Sequence, residues 1–513
     1  MRMSGQSIEP LLTRRELLAR LAGVAALPVA AMSCGPGLAA ASVPQVTNPL
    51  HYSSLAHVGK LIAARELKSS DLTRQLLDRI AAVDGRLQSY VTLMADQALA
   101  SARRADTEIA AGRYRGPLHG VPIAVKDLCY TRGVRTMAGT KVFADFVPDF
   151  DATVVARLNE AGAVILGKLA LCEGAFGPYY PGLQVPVNPW DSTRWSGVSS
   201  SGSGVATAAG LCFGSVGTDT GGSIRYPSAA NGCVGLKPTY GRVSRHGVFA
   251  LAPSMDHVGP MTRTVEDVAI LFEVMAGADP RDPTSLPDRV PAVRAELGRG
   301  IAGMRVGFDR RYATDNVDPD VAEAMDHVLT TLTRLGATVV TVTMPDVSQV
   351  GSTWLTLCAV EALAVHAKTF PSRASEYGPG LRAVLESGQR FTPAVLAAAQ
   401  RVRSAVSASI DSMLNTVDCL VCPSMANSAR VKEANPFDEE TDESWSAQVR
   451  NDIHTQPFNF SGSPTLSVPC GFSAEGLPLS VQFVGRRLSE SALCRVGHAY
   501  EQATPWHLRH PAV

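Results

Sequence analysis

Apolar residues recur along this chain in two rhythms. "SSDLTRQLLDRIAAVD", Ser69 to Asp84, spaces its leucines, isoleucine and valine three and four apart behind a serine N-cap candidate, as one face of a helix does. "ADQALASARRADTEIAAG" repeats that spacing and ends on Gly112. "GVPIAVKD", Gly120 to Asp127, is instead a short apolar run that suits a buried strand. "ATVVARLNEAGAVILGK" predicts helix, turn and strand with Gly162 closing the helix, and "GSGVATAAGLCFGSVGTD" predicts helix then strand. Further on, "MRVGFD", a helix from Asp318 to Leu335 and "ATVVTVTM" predict another strand–helix–strand unit. This alternation predicts an α/β fold: one large domain over residues 50–508, with a mixed, mostly parallel central sheet covered on both faces by helices. Gly (44) and Pro (33) are spread along the chain, so no linker divides it.

Composition narrows the classes. With 45% hydrophobic and 18% charged residues the chain can bury a large core. A formal net charge of zero without a basic block argues against a nucleic-acid surface. The first residues follow another logic: Arg14–Arg15 precede the apolar segment Leu21 to Ala31, which is too short to span a bilayer. This resembles a Tat-type export signal over residues 1–41, with cleavage expected near "GLAAAS" and a periplasmic mature protein without stable membrane insertion. The rival is lipid attachment at Cys34, for which the usual upstream leucine is missing. Cys212, Cys233, Cys358 and Cys470 sit in apolar runs, where a free cysteine acts as a small hydrophobe. Cys419 and Cys422 have metal-like spacing but no second pair, so a buried strand is expected. "GAVILGKL" spells most of a P-loop, yet its middle is a strand-type run and Leu169 stands where Mg²⁺ chemistry needs Ser or Thr. The histidines form no H-x-x-x-H or H-E-x-x-H pattern. No metal and no cofactor are expected.

Three segments carry chemistry: Lys126 at the end of "GVPIAVKD", Ser199 to Ser201 in "WSGVSSSGSG", and Ser223 in "GTDTGGSIR". Together with "NPWD", "GCVGLKPTYGRVS", "SMDHVGPMTRTVED" and "FNFSGSPTLSVPCGF", they resemble the amidase signature family from about Leu55 to Glu501. The resemblance implies the family's fold and hydrolysis of an amide by a Ser–Ser–Lys triad. It puts the nucleophile on Ser223, the bridging serine on Ser199 and the base on Lys126. Ser200, Asp219 and Arg225 fall on supporting positions, and Thr220, Gly221, Gly222 and Ser223 on the backbone oxyanion hole. The family's cis bond before the bridging serine falls on Val198–Ser199, where a valine replaces the usual glycine.

Physical chemistry accounts for these residue types independently. A serine hydroxyl needs a base in reach. Without a suitable histidine, a lysine serves only when neutral, and burial beside "VPIAV" would lower its pKa from about 10.4. Gly221 and Gly222 lack a Cβ, so successive N–H groups can point at a developing oxyanion, worth about 3 kcal/mol per donor. Cys172, Phe176, Tyr179, Tyr180, Trp354 and Cys358 are the expected pocket wall, set against simple core packing. Their bulk suggests a small hydrophobic or aryl amide, with esters and carbamates easier for the same triad. The alternatives are the glutamine-hydrolysing component of a tRNA-dependent amidotransferase, or a non-catalytic binding protein of the same fold. A homodimer stays open.

Overall fold

The computed structural model describes residues 49–432 and 442–513, the side chains of 442–449 excepted. The export-type segment 1–41, its cleavage point and Cys34 lie outside the described residues. Eleven strands are described: β1 (Tyr90–Leu93), β2 (Pro122–Lys126), β3 (Val164–Leu169), β4 (Gly214–Asp219), β5 (Val234–Lys237), β6 (His257–Thr262), β7 (Arg305–Phe308), β8 (Thr338–Thr341), β9 (Cys419–Pro423), β10 (Thr465–Phe472) and β11 (Pro478–Val484). They form one sheet in the order β1-β3-β2-β4-β6-β5-β10-β11-β9-β7-β8. Helices flank it, and Asn48–Val513 make one compact unit.

Parallel pairing is confined to two blocks, β3-β2-β4 and β9-β7-β8. The other six neighbouring pairs are antiparallel, so the sheet is mixed but not mostly parallel. For one of the six the reason is local. β10 and β11 form a hairpin closed by Ser473 and Leu477 around Gly476 at φ +79°, and a tight turn returns a strand antiparallel. Alternating helix and strand patterns reveal crossovers and pass over such hairpins.

β2, β3, β4, β6, β9 and β11 are buried along their whole length, which is why they read as unbroken runs. The P-loop-like segment is β3 itself, its backbone engaged in the ladders with β1 and β2. Cys419 and Cys422 lie buried on β9, and the cysteines among the described residues are buried and outside any disulfide.

Four helices position the site: α1 (Ser201–Ala208), α2 (Arg225–Asn231), α3 (Val350–Val365) and α4 (Asp442–Phe460). The glycine- and serine-rich "SGSGVATA" of α1 is buried at every position. A Cβ on Gly202 would fall 2.6 Å from Ala170 N and Ser89 O, and one on Gly204 2.7 Å from Pro227 O. Small residues thus let α1 wedge between the end of β3 and α2. α4 contains Pro457, which cannot donate to the carbonyl of Ile453. The Tyr312 hydroxyl donates there instead, at 2.6 Å.

Candidate active site

β2 and β4 run side by side and deliver Lys126 and Thr218 to one spot. Lys126 is fully buried, and its Nζ donates to three hydroxyls: Ser199 Oγ at 2.7 Å, Thr218 Oγ1 at 2.8 Å and Ser200 Oγ at 2.9 Å. Burial lowers its pKa from 10.5 to about 8, although nearby acidic groups, Asp219 and Asp256 among them, pull the other way. Hydroxyls satisfy the three N–H bonds without supplying a countercharge. The ammonium form is therefore hydrogen-bonded but poorly compensated.

The serines come from the N-terminal end of α1, where the Val198–Ser199 bond is cis. Ser200 is locked in place. Its hydroxyl donates to Thr218 O at 3.1 Å and accepts from Thr218 N–H at 3.2 Å, and its own N–H donates to Ser223 O at 3.3 Å. Ser201, which begins α1, accepts from the Tyr179 hydroxyl at 2.8 Å.

The glycine loop after β4 is held from behind by a buried ion pair. Arg225 donates to Asp219 through Nη2 at 2.8 Å and Nε at 3.0 Å, and neither side chain is exposed. Burial alone would raise the Asp219 pKa, but the guanidinium overrides it, with help from Lys237 and Asn459, and holds the carboxyl well below its ordinary range. Arg225 also donates to Thr455 O at 2.9 Å and Asn459 Oδ1 at 2.6 Å, tying the loop to the opened turn of α4.

Each carbonyl of the loop is occupied. Thr220 O accepts from the Trp354 indole at 2.8 Å, Gly221 O from the Thr455 hydroxyl at 2.6 Å and Gly222 O from Tyr226 N–H at 2.7 Å. Among the described residues, nothing accepts from the N–H groups of Gly221, Gly222 and Ser223. Side chains here have no room. A Cβ on Gly221 would sit 2.8 Å from the Trp354 ring, and one on Gly222, at φ +147°, 2.4 Å from the Tyr226 ring.

Ser223 is half-buried and opens into a cavity of about 390 Å³. Phe176 and Trp354 line it, stacked at 6.0 Å and 14°, beside Val198, Tyr226, Leu251 and Ile453. The other pocket candidates do not reach it. Cys172, Tyr179 and Cys358 are buried in the surrounding structure, and half-buried Tyr180 lies off the cavity wall. Sequence reasoning also missed Thr218, Thr455, Asn459 and Gln456. Thr218 had a readable signal, since it lies one residue before Asp219 on the strand beside Lys126. Among the described residues, no group of three or more His, Cys, Asp or Glu side chains is arranged to hold a metal, and no helix is long and apolar enough to cross a membrane.

A buried lysine against serine hydroxyls, beside a glycine loop opening into a cavity, marks a class of amide hydrolase. The amidase family model matches residues 71–494, and the chain belongs to that family, the amidase signature enzymes. It is a hydrolase of carbon–nitrogen bonds other than peptide bonds. The chain is 47% identical over 459 residues to "Putative amidase AmiD" of Mycobacterium bovis, covering 90% of this chain and 96% of that one. It is 39% identical over 479 residues to a glutamyl-tRNA(Gln) amidotransferase component of a Geobacter species, covering 87% and 96%. The solved peptide amidase of Stenotrophomonas maltophilia superposes with a TM-score of 0.78 at 31% identity, over 92% of this chain and 99% of that one.

Proposed function

We propose that the protein cleaves small hydrophobic or aryl amides through an acyl-enzyme on Ser223, with Lys126 as base and Ser199 as relay. The observation that carries this reading is the buried Lys126, whose pKa of about 8 leaves roughly a tenth of it neutral at pH 7. In the neutral fraction Nζ takes the Ser199 proton while Ser199 takes that of Ser223, and Ser223 Oγ bonds to the substrate carbonyl carbon. The negative charge gathers on the carbonyl oxygen, where the unused N–H groups of Gly221, Gly222 and Ser223 support it, with Thr220 anchoring the loop. The relay run backwards protonates the leaving nitrogen as the C–N bond breaks. Water then attacks the acyl-enzyme, its proton passing by the same route, and releases the acid and free Ser223.

Two features support an apolar substrate over glutamine. The wall is largely aromatic and aliphatic, its polar members being Asp452, Gln456 and serines, and of the described residues lining the cavity none is basic, so a glutamine carboxylate would lack a basic partner. Esters and carbamates fit the same chemistry. The twin arginines at 14 and 15 support export as the protein's route to its substrate. Fractionating cells that make wild type or the Arg14→Lys/Arg15→Lys variant tests this: wild type should be periplasmic and the variant cytoplasmic. Equal distributions would remove the export reading.

The test of the chemistry is a fluorophosphonate probe read by intact mass, wild type beside Ser223→Ala. One adduct on wild type and none on the variant is expected, together with amide turnover by wild type alone. A well-folded wild type that takes no adduct would overturn the mechanism.

A further inference from the structure

Each N–H group of the glycine loop shares a planar peptide unit with the carbonyl of the residue before it. These peptides are trans, so carbonyl and N–H point in opposite directions. The group that grips the carbonyl therefore aims the N–H. The Tyr226 N–H sets the Gly222–Ser223 unit and the Thr455 hydroxyl sets Gly221–Gly222. The Trp354 indole sets Thr220–Gly221, its Nε1 donating to Thr220 O at 2.8 Å. The Thr220 side chain is held separately, its hydroxyl donating to Asp256 Oδ1 at 2.6 Å. Trp354 and Thr455 are the two side chains among these grips, and only Trp354 also lines the cavity that exposes Ser223, stacked there with Phe176. Its ring lies against Gly221, where a Cβ would come 2.8 Å from it.

We infer that Trp354 is a positioning residue for the oxyanion: its indole N–H aims the Gly221 N–H, and its ring meets the apolar part of the substrate, so that a substrate packed on the ring steadies that donor. The inference rests on the amide-hydrolase reading and adds that apolar contact in the cavity is expressed in rate more than in binding. The residue type fits both tasks. A hydrogen bond to a carbonyl polarises its peptide and makes the N–H at the other end a better donor. Leucine or phenylalanine would line the cavity but leave Thr220 O without the donor it now has.

The experiment measures kcat and KM on acetamide and phenylacetamide for wild type and Trp354→Phe, which keeps a ring and loses the donor. Benzylboronic acid is titrated against both and against Ser223→Ala. Ser223 Oγ bonds to its boron as the hydroxyl proton passes to the relay, and a boron oxygen then takes the oxyanion's place. Circular dichroism checks each fold. Wild type is expected to show a kcat on phenylacetamide about tenfold or more above that on acetamide, a comparison that needs no variant. Trp354→Phe should lower kcat on phenylacetamide by about 10- to 100-fold and weaken the boronate by a similar factor, with KM held within about threefold. A raised KM with kcat and boronate affinity unchanged would make Trp354 a wall residue only, overturning the inference and leaving hydrolysis standing. Equal kcat for the two amides in wild type would do the same. Boronate that binds Ser223→Ala as tightly as wild type removes the oxyanion site and the inference with it. Boronate bound through Ser223 and weakened by Trp354→Phe, with no turnover of either amide by wild type, sustains the inference and removes small apolar and aryl amides as substrates.

Discussion

Two lysines lie at the ends of neighbouring parallel strands, Lys126 on β2 and Lys168 on β3, and both are fully buried. Their surroundings separate them. Lys168 faces the carboxylate of Asp127 at 3.2 Å and donates to Thr136 Oγ1 at 2.6 Å, whereas Lys126 faces three hydroxyls. Burial lowers both pKa values, but only Lys168 has a carboxylate in contact to oppose it. The same burial pushes the Asp127 carboxyl up against the pull of Lys168, as a desolvated pair requires. One lysine closes a structural pair. The other is left with hydrogen bonds and no countercharge, which suits a base.

Substituting each lysine by methionine should break the comparison most sharply. Lys126→Met removes the proposed base and should lower kcat/KM by about 10³-fold or more. Its melting temperature should hold or rise, because a poorly compensated buried charge has gone. Lys168→Met leaves Asp127 buried without its partner and should cost roughly 3–5 kcal/mol in chemical denaturation, with activity per folded molecule within a few-fold of wild type. The reverse pattern would mean the two lysines have been assigned the wrong roles.

Mutagenesis is followed in size by pH. Lys126 has a folded pKa of about 8 against an ordinary 10.5. Below pH 8 both folded and unfolded chains hold the proton, and the buried ammonium costs the fold. Between about pH 8 and 10.5 the unfolded chain keeps a proton that the folded one has released, so this group's contribution to stability rises with pH, by roughly 3 kcal/mol across the window. Activity should follow the neutral form: kcat/KM climbs tenfold per pH unit and levels off near pH 8. A flat profile from pH 6 to 9 would exclude Lys126 as the base.

How far this arrangement is legible in the sequence depends on distance along the chain. Lys126, Ser199 and Ser223 stand in short segments whose residue types state their chemistry, and each glycine beside Ser223 answers to a ring that would collide with a side chain. The helices and buried strands were readable from periodicity because each buries a face of its own. Thr455 and Asn459 were not, since they reach the glycine loop after β4 from more than 230 residues away. Their role depends on a helix opened at Pro457, which no local pattern connects to Gly221. Cys172, Tyr179 and Cys358 failed as pocket residues for the opposite reason: apolar character in a buried segment does not say which side of the wall a residue occupies.

The smallest expected effect tests how Lys126 is protonated at rest. Thr218 Oγ1 lies 2.8 Å from Nζ and accepts from it when the lysine is charged. An acceptor stabilises the ammonium, so Thr218→Val should lower the apparent pKa by about half a unit to one unit. The rising limb of the kcat/KM profile would then move to lower pH, with the plateau changed by less than about tenfold. Were the lysine neutral at rest, the hydroxyl would instead donate to its lone pair. Losing that bond would favour the ammonium, and the limb would move to higher pH. The direction of the shift therefore separates the two states, and Thr136→Val beside Lys168 should leave the profile unmoved, because that lysine has no place in the proposed relay.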